Sequence, residues 1–261
     1  MVGRTFIEVR VSHDRTVRNN ASRAEVANRL SGRTVQDVRR HGKFLIIGLD
    51  SGYTMVAHLG MSGRFSIAQP SQTKSAHTHF VAVLDNNTEI RFIDPRTFGF
   101  IAAYDEDEVS SSGLARLGPD AWTEPPDVDD LAASLRGRVA PIKALLLDQG
   151  PMAGLGNIYA DEVLHLAHIH PLTAGGDLNH HQVGALLEAV RVVLGAAIDA
   201  GGTTLDDLAY LLPDGQAGES LEGLRVYGRE DQPCRTCGTA IQRIVVRSRS
   251  THFCPSCQPH V

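Results

Sequence analysis

The sequence predicts an α+β multidomain fold: an N-terminal β-sandwich, a helical domain, and a C-terminal zinc-finger β-hairpin. Three observations carry this. Short strand-like runs separated by turn residues fill roughly the first 118 positions, helical spacing replaces them after residue 128, and all four cysteines fall at the end of the chain. The expected boundaries are 1–118 for the sandwich, 119–128 for a linker, 129–223 for the helical domain and 224–261 for the finger.

The chain opens on a strand, Thr5–Val11, in which Ile7, Val9 and Val11 alternate with Glu8 and Arg10. Ser22 followed three residues later by Glu25 predicts a capped helix over Ser22–Leu30. Five further strands are expected at Lys43–Leu49, Thr54–His58, Phe80–Leu84, Glu89–Ile93 and Phe98–Ala103, with turns at Asp50-Ser-Gly52 and Asp85-Asn-Asn87. The proline-containing acidic stretch Gly118–Asp127 reads as a linker.

Beyond it the period becomes helical at Asp129–Leu135, Pro141–Gln149, Asn157–His165, His181–Ala200 and Thr204–Leu211. Gly150-Pro-Met-Ala-Gly-Leu-Gly156 is a glycine-rich turn between two of these helices, and Asn157 opens and caps the second. Backbone N–H groups at such a helix start point toward an anion. His165, His168 and His170 read as solvent-facing, and His180-His181 as ordinary surface.

The last stretch is the most specific. Cys234-Arg-Thr-Cys237 and Cys254-Pro-Ser-Cys257 are two C-x2-C pairs separated by 16 residues, a spacing suited to four thiolates around one structural Zn2+. Four thiolates leave no open position for water, so the metal is structural rather than catalytic. With no secretory h-region and no apolar run of membrane-spanning length read from the sequence, a reducing cytoplasm is expected, which favours metal over disulfides. Between the pairs, Thr239–Phe253 reads as two strands around a turn from which Arg243, Arg247 and Arg249 project. A stapled hairpin carrying arginines suits phosphate. The whole chain has net charge −5, but residues 224–261 hold six arginines against Glu230 and Asp231, so the finger is locally basic.

Several stretches together resemble one family, the formamidopyrimidine-DNA glycosylases, relatives of endonuclease VIII. They are Arg40-His-Gly-Lys43, His58-Leu-Gly-Met-Ser-Gly63, Asp94-Pro-Arg-Thr-Phe-Gly99, Gly154-Leu-Gly-Asn-Ile-Tyr-Ala-Asp-Glu162, Gly201-Gly-Thr-Thr204, Val226-Tyr-Gly-Arg229 and the finger, in the family's order. The resemblance implies a helix-two-turns-helix DNA-binding domain and a base-excision-repair enzyme. Such an enzyme binds damaged double-stranded DNA, flips out an oxidised purine (8-oxoguanine or a formamidopyrimidine) and excises it. It then cleaves the abasic strand by β,δ-elimination. The partner implied is DNA with oxidised purines or abasic sites, bound by a monomer at the bacterial nucleoid, with no membrane. The resemblance also implies roles. Met61, Arg96 and Phe98 fill the space the base leaves, as an apolar wedge and a guanidinium can. His77, Arg96, Arg138, Lys143 and Asn157 bind DNA. Lys43 lies near the lesion sugar, and Arg249 serves the final elimination.

The family's nucleophile is an N-terminal proline followed by glutamate, an amine whose pKa near neutrality leaves it reactive. This chain opens Met1-Val-Gly-Arg-Thr5, which matches the family further downstream, after its first helix. The expectation is a native start upstream of Met1 that restores Pro-Glu. Two alternatives stay open: a protein that binds damaged DNA without cutting, and a weak lyase using Lys43 or the terminal amine. A further departure is Glu219-Ser220, where many relatives carry an aromatic pair.

Overall fold

The computed structural model describes residues 1–203 and 223–260. The helix expected at Thr204–Leu211 and the Glu219-Ser220 departure lie outside the described residues. Two compact units emerge, and in their described parts the first is Met1–Ala115 with Thr203 and the second is Arg116–Gly202 with the finger.

The first unit packs two four-stranded antiparallel sheets on one core. One sheet runs β1 (Phe6–Val11), β6 (Thr78–Leu84), β7 (Glu89–Ile93), β5 (Arg64–Ala68); the other runs β2 (Val35–His41), β3 (Phe44–Leu49), β4 (Thr54–His58), β8 (Phe100–Tyr104). Phe6, Phe80 and Phe92 from one sheet and Ile47, Met55 and Ile101 from the other meet in that core, with Val26 and Leu30 of α1 (Arg23–Leu30). Full burial of each such side chain contributes about 1.5–3 kcal/mol. Helix α1 starts as its sequence predicts: Ser22 accepts the Glu25 N–H at 3.1 Å, and the Glu25 carboxylate accepts the Ala21 N–H at 2.6 Å. β1 departs from strict alternation. Its register against β6 shifts between Phe6 and Glu8, so Phe6 and Val9 face the core and Ile7 is turned out, 58% exposed. β2 escaped the sequence reading because polar residues dominate it, and β5, Arg-Phe-Ser-Ile-Ala, escaped it although its residues alternate. The short helix α2 (Glu106–Ser111), with an Asp105/Glu108 capping box, escaped it among acidic residues. Phe98 lies before β8 rather than in it.

The second unit is built on α3 (Val128–Leu135), α4 (Ile142–Asp148), α5 (Asn157–Leu166) and α6 (His180–Asp199). Its core gathers Leu131 and Leu135, Leu145 and Leu146, Val163 and Leu164, and Val183, Leu186 and Val190. Among the described residues, α6 is long and apolar enough to cross a membrane by length and composition, a run the sequence reading did not single out. Its inward residues belong to the same core as α3 and α5. Residues 119–128, expected as a linker, are packed on this unit instead. The Gly118 N–H donates to Gln149 O at 2.9 Å, Ala121 N–H donates to Ala153 O at 2.9 Å, and Asp120 and Ala121 are buried. Gly118 has no room for a side chain, since a Cβ there would lie 2.0 Å from Gly150 O. The finger hairpin pairs β9 (Gln242–Val246) with β10 (Arg249–Phe253) around Arg247-Ser248, both at positive φ (44° and 63°). That is the handedness a two-residue hairpin turn demands.

Candidate nucleic-acid interface and metal centre

In the first unit, two loops that are far apart in sequence are stitched together by one buried carboxylate. Asp94 is 1% exposed; its Oδ1 accepts the Ser62 hydroxyl at 2.5 Å and its Oδ2 accepts the Gly99 N–H at 2.7 Å. Ser62 Oγ in turn accepts the Arg96 N–H at 3.2 Å. Gly60, at φ 67°, lets the loops touch: a Cβ there would meet Gly99 N at 2.5 Å. On this frame Met61 (56% exposed) and Phe98 (40%) stand out of the protein, with the Arg96 guanidinium 5.1 Å from the Phe98 ring centroid. Large apolar side chains held out in water by a buried polar network are unusual in a core-forming segment and suit insertion into a stack. The structure therefore brings Met61, Arg96 and Phe98 together. Arg18, which no sequence signal marked, also reaches this loop, donating to Phe98 O and Gly99 O.

Lys43 is exposed at the tight turn joining β2 to β3, just after Gly42 at φ 57°. It lies near His58, whose pKa is lowered by burial and then by the Lys43 charge. His77 is exposed at φ 62°, its carbonyl accepting the Asp94 N–H at 3.1 Å, so the Asp94 segment also fixes the His77 loop.

In the second unit, the glycine-rich turn is organised by Gln149. From a left-handed backbone at φ 69°, it donates Nε2–H to Leu147 O and Leu155 O at 3.1 Å and accepts the Gly154 N–H at 2.9 Å. Asn157 is not the cap expected of it. Gly156 holds that position with no side-chain cap, and Asn157 is the first helical residue of α5. Its Nδ2 donates to Ser250 O at 3.0 Å, beside Arg249, while its buried Oδ1 has no partner. The finger tip, with Arg249 exposed, is thereby anchored to the start of α5. Arg138 is exposed in the turn after α3.

Lys143 corrects a sequence expectation. It is 0% exposed, with its ammonium paired to Asp161 and donating to Asn157 O at 3.1 Å, so it does not face solvent as a phosphate contact would. Burial pulls its pKa down and the Asp161 charge pulls it back. Asp161 Oδ2 also accepts the His252 N–H of β10 at 3.0 Å. The next residue, Glu162, is 4% exposed and accepts three N–H groups, from Arg225 at 2.7 Å and from Val226 and Tyr227 at 2.9 Å. Both acids stand inside a stretch quoted above, but spacing alone gave them no partner. Glu162→Ala leaves those three donors without an acceptor, each costing about 1–3 kcal/mol. The expected result is a thermal midpoint well below wild type, and restoration toward it by Glu162→Gln.

His165 and His170 do not face solvent. His165 is 2% exposed with Nε2 3.6 Å from Cys234 Sγ, and burial, ahead of nearby positive groups, pushes its pKa down to about 4, so its ring is neutral. His170 is 8% exposed, edge-on to Phe253 at 4.7 Å. Both histidines fill the seam between α5 and the finger, where an apolar residue was the alternative.

The four cysteines converge: their Sγ atoms all lie within 4.8 Å of one another. With Zn–S bonds of about 2.3 Å, tetrahedral sulfurs stand about 3.8 Å apart, so this donor set fits zinc. The knuckles are preformed, with Thr236 N–H pointing at Cys234 Sγ and Cys257 N–H at Cys254 Sγ, each at 3.4 Å. Hydrogen bonds from Thr239 hold the Cys237 thiol down to about 6, while burial holds Cys254 and Cys257 up. Four thiolates can coexist here only against a cation, whose binding would release protons.

Comparisons with known proteins agree along the whole chain. Residues 1–101 match the formamidopyrimidine-DNA glycosylase N-terminal domain, 117–208 the formamidopyrimidine-DNA glycosylase H2TH domain, and 231–259 a zinc finger found in FPG and IleRS. A formamidopyrimidine-DNA glycosylase of Herpetosiphon aurantiacus is 42% identical over 99% of this chain and 93% of its own length. One from Salinispora arenicola is 40% identical over 99% and 91%. Among solved structures, the MutM (FPG) protein from Thermus thermophilus is 37% identical with TM-score 0.87, covering 100% of this chain and 94% of that one. Lactococcus lactis Fpg in complex with abasic-site DNA is 32% identical with TM-score 0.88, over 100% and 94%. Sandwich, helical unit and four-cysteine finger, each built as described above, thus match in order, and the chain belongs to the formamidopyrimidine-DNA glycosylase family.

Proposed function

We propose that this protein recognises damaged sites in duplex DNA through the Asp94-stitched loop pair and acts there as a DNA glycosylase and abasic-site lyase of base excision repair. The observation that carries the reading is the projection of Met61 and Phe98 into solvent beside Arg96 on a rigid, buried frame. Met61 and Phe98 enter the stack as an oxidised purine is flipped out, and the Arg96 guanidinium bonds the orphaned base. His77, Arg138, Asn157 and Arg249 hold the phosphates, with the uncapped backbone N–H groups at the α5 start offered beside Asn157. Lys43 stands toward the lesion sugar, and Arg249 neutralises phosphate charge during β,δ-elimination. Zinc, held by Cys234, Cys237, Cys254 and Cys257, supplies no chemistry beyond fixing the hairpin that carries Arg249. The protein works as a monomer on the nucleoid in the bacterial cytoplasm. Its domains run 1–118, 129–223 and 224–261, with the connecting residues 119–128 packed on the helical domain.

The test is fluorescence anisotropy on matched duplexes with and without an abasic-site analogue, followed by incubation with 8-oxoguanine duplex and borohydride. The expected result is tighter binding to the damaged duplex and a covalent trapped complex. Equal affinity for both duplexes would sink the reading, and damage-selective binding without trapping would reduce it to recognition alone. Arg249→Ala is expected to weaken binding to both duplexes and to flatten log K against log salt by about 0.9, the release of one phosphate contact. An unchanged slope would remove Arg249 from the phosphate grip.

A further inference from the structure

Arg18 follows a single 3-10 turn, Asp14–Val17, in which Thr16 and Val17 are buried, so its backbone is fixed to the sandwich. Its guanidinium turns to the loop 80 residues downstream. Nη1 donates to Gly99 O at 2.6 Å and to Arg15 O at 2.9 Å, and Nη2 donates to Phe98 O at 3.0 Å. Its Cζ also lies 4.9 Å from the centroid of the Phe100 ring. Two consecutive carbonyls are thus held by the two arms of one planar fork, a geometry lysine cannot reproduce. The segment it grips needs holding: Thr97, just before Phe98, sits at φ 53°, a left-handed conformation costly for a β-branched residue. Arg15, from the same turn, places its Cζ 5.6 Å from the Phe98 centroid.

We propose that Arg18 is the positioning residue of the Phe98 wedge, holding the Phe98 and Gly99 carbonyls so that the ring stands ready to enter the DNA stack. The inference rests on the wedge reading of Phe98 given above. Asp94 fixes the loop through the Gly99 N–H, and Arg18 fixes it through the carbonyls on either side. Together they remove both rotations about the peptide that carries the wedge. A wedge already ordered inserts without first losing its freedom, so its tightening is felt at the damaged site and not on intact duplex.

The experiment uses the full chain and a duplex with 2-aminopurine beside an abasic-site analogue, where insertion raises fluorescence by unstacking the reporter. R18M, which keeps the stem and loses the fork, is expected to cut the enhancement about threefold or more, with R18K between it and wild type. Affinity for undamaged duplex and its salt slope should stay at wild-type values in both. Full enhancement in R18M overturns the proposal, and so does full enhancement in R18K should R18M not fold. Loss of undamaged-duplex affinity with a salt slope smaller by about 0.9 also overturns it, because Arg18 would then be a phosphate contact. F98A separates the two layers: if enhancement survives in F98A, the wedge reading itself fails, whatever R18M does.

Discussion

Replacing Cys254 with alanine is expected to drop bound zinc from about one ion per chain to near none and to cost DNA affinity at least about tenfold, or 1.4 kcal/mol. Cys254 is wholly buried, and its N–H and carbonyl are both used by Gln258, which itself donates to Ile169 O at 2.8 Å. The cysteine therefore joins the metal site to the end of α5 as well as to the other thiols. Structural zinc contributes folding free energy on the order of 10–16 kcal/mol in isolated fingers, and three thiolates retain only part of it. Losing the ion frees the hairpin whose Ser250 carbonyl meets Asn157, so Arg249 loses its station. Metal analysis of the purified variant, with binding to the abasic-site duplex, checks both halves. Full zinc occupancy in Cys254→Ala would overturn the four-thiolate assignment.

Asp94→Ala is expected to dismantle the loop pair while leaving most of the sandwich folded. The buried carboxylate satisfies the Ser62 hydroxyl and the Gly99 N–H, and each donor left without an acceptor costs about 1–3 kcal/mol. Phe92 and the core around it keep their packing, so the circular dichroism spectrum should change little while the thermal midpoint falls. Discrimination of the abasic-site duplex from intact duplex should be lost, because Met61, Arg96 and Phe98 no longer share one frame. Asp94→Asn keeps one acceptor oxygen and is expected to retain part of the discrimination. Wild-type discrimination in Asp94→Ala would mean that the two loops act independently.

The fold was legible in the sequence wherever one residue type or one period dominated. Cysteine spacing found the finger, the Ser22/Glu25 pair found α1, and glycine between two helical periods found the turn before Asn157. β2 was missed because a strand with one wet face and few apolar residues gives no alternation to read; β5 was missed although Phe65 and Ile67 alternate with Arg64 and Ser66. Alternation groups Ile7 with Val9 and Val11, and period two cannot announce the bulge that turns Ile7 out. The motif stretches marked Met61, Arg96, Phe98 and the region of Asn157, although the contacts that hold them run between distant segments.

The sequence by itself determined the types of the elements it marked, the four-cysteine ligand set and the positions proposed to read the DNA. Only the tertiary structure decided which charges are enclosed. Lys143 and His165 look like surface residues in a linear reading, yet each is buried because a partner more than 15 residues away, Asp161 or Cys234, closes over it. Glu162 and Arg18 acquired their roles in the same way, by meeting backbone groups from distant segments, and Asp94 by meeting the Ser62 hydroxyl. A lone charged residue carries no sign of its partner, because burial is a property of what folds over it; periodicity and metal spacing are local, and so they can be read.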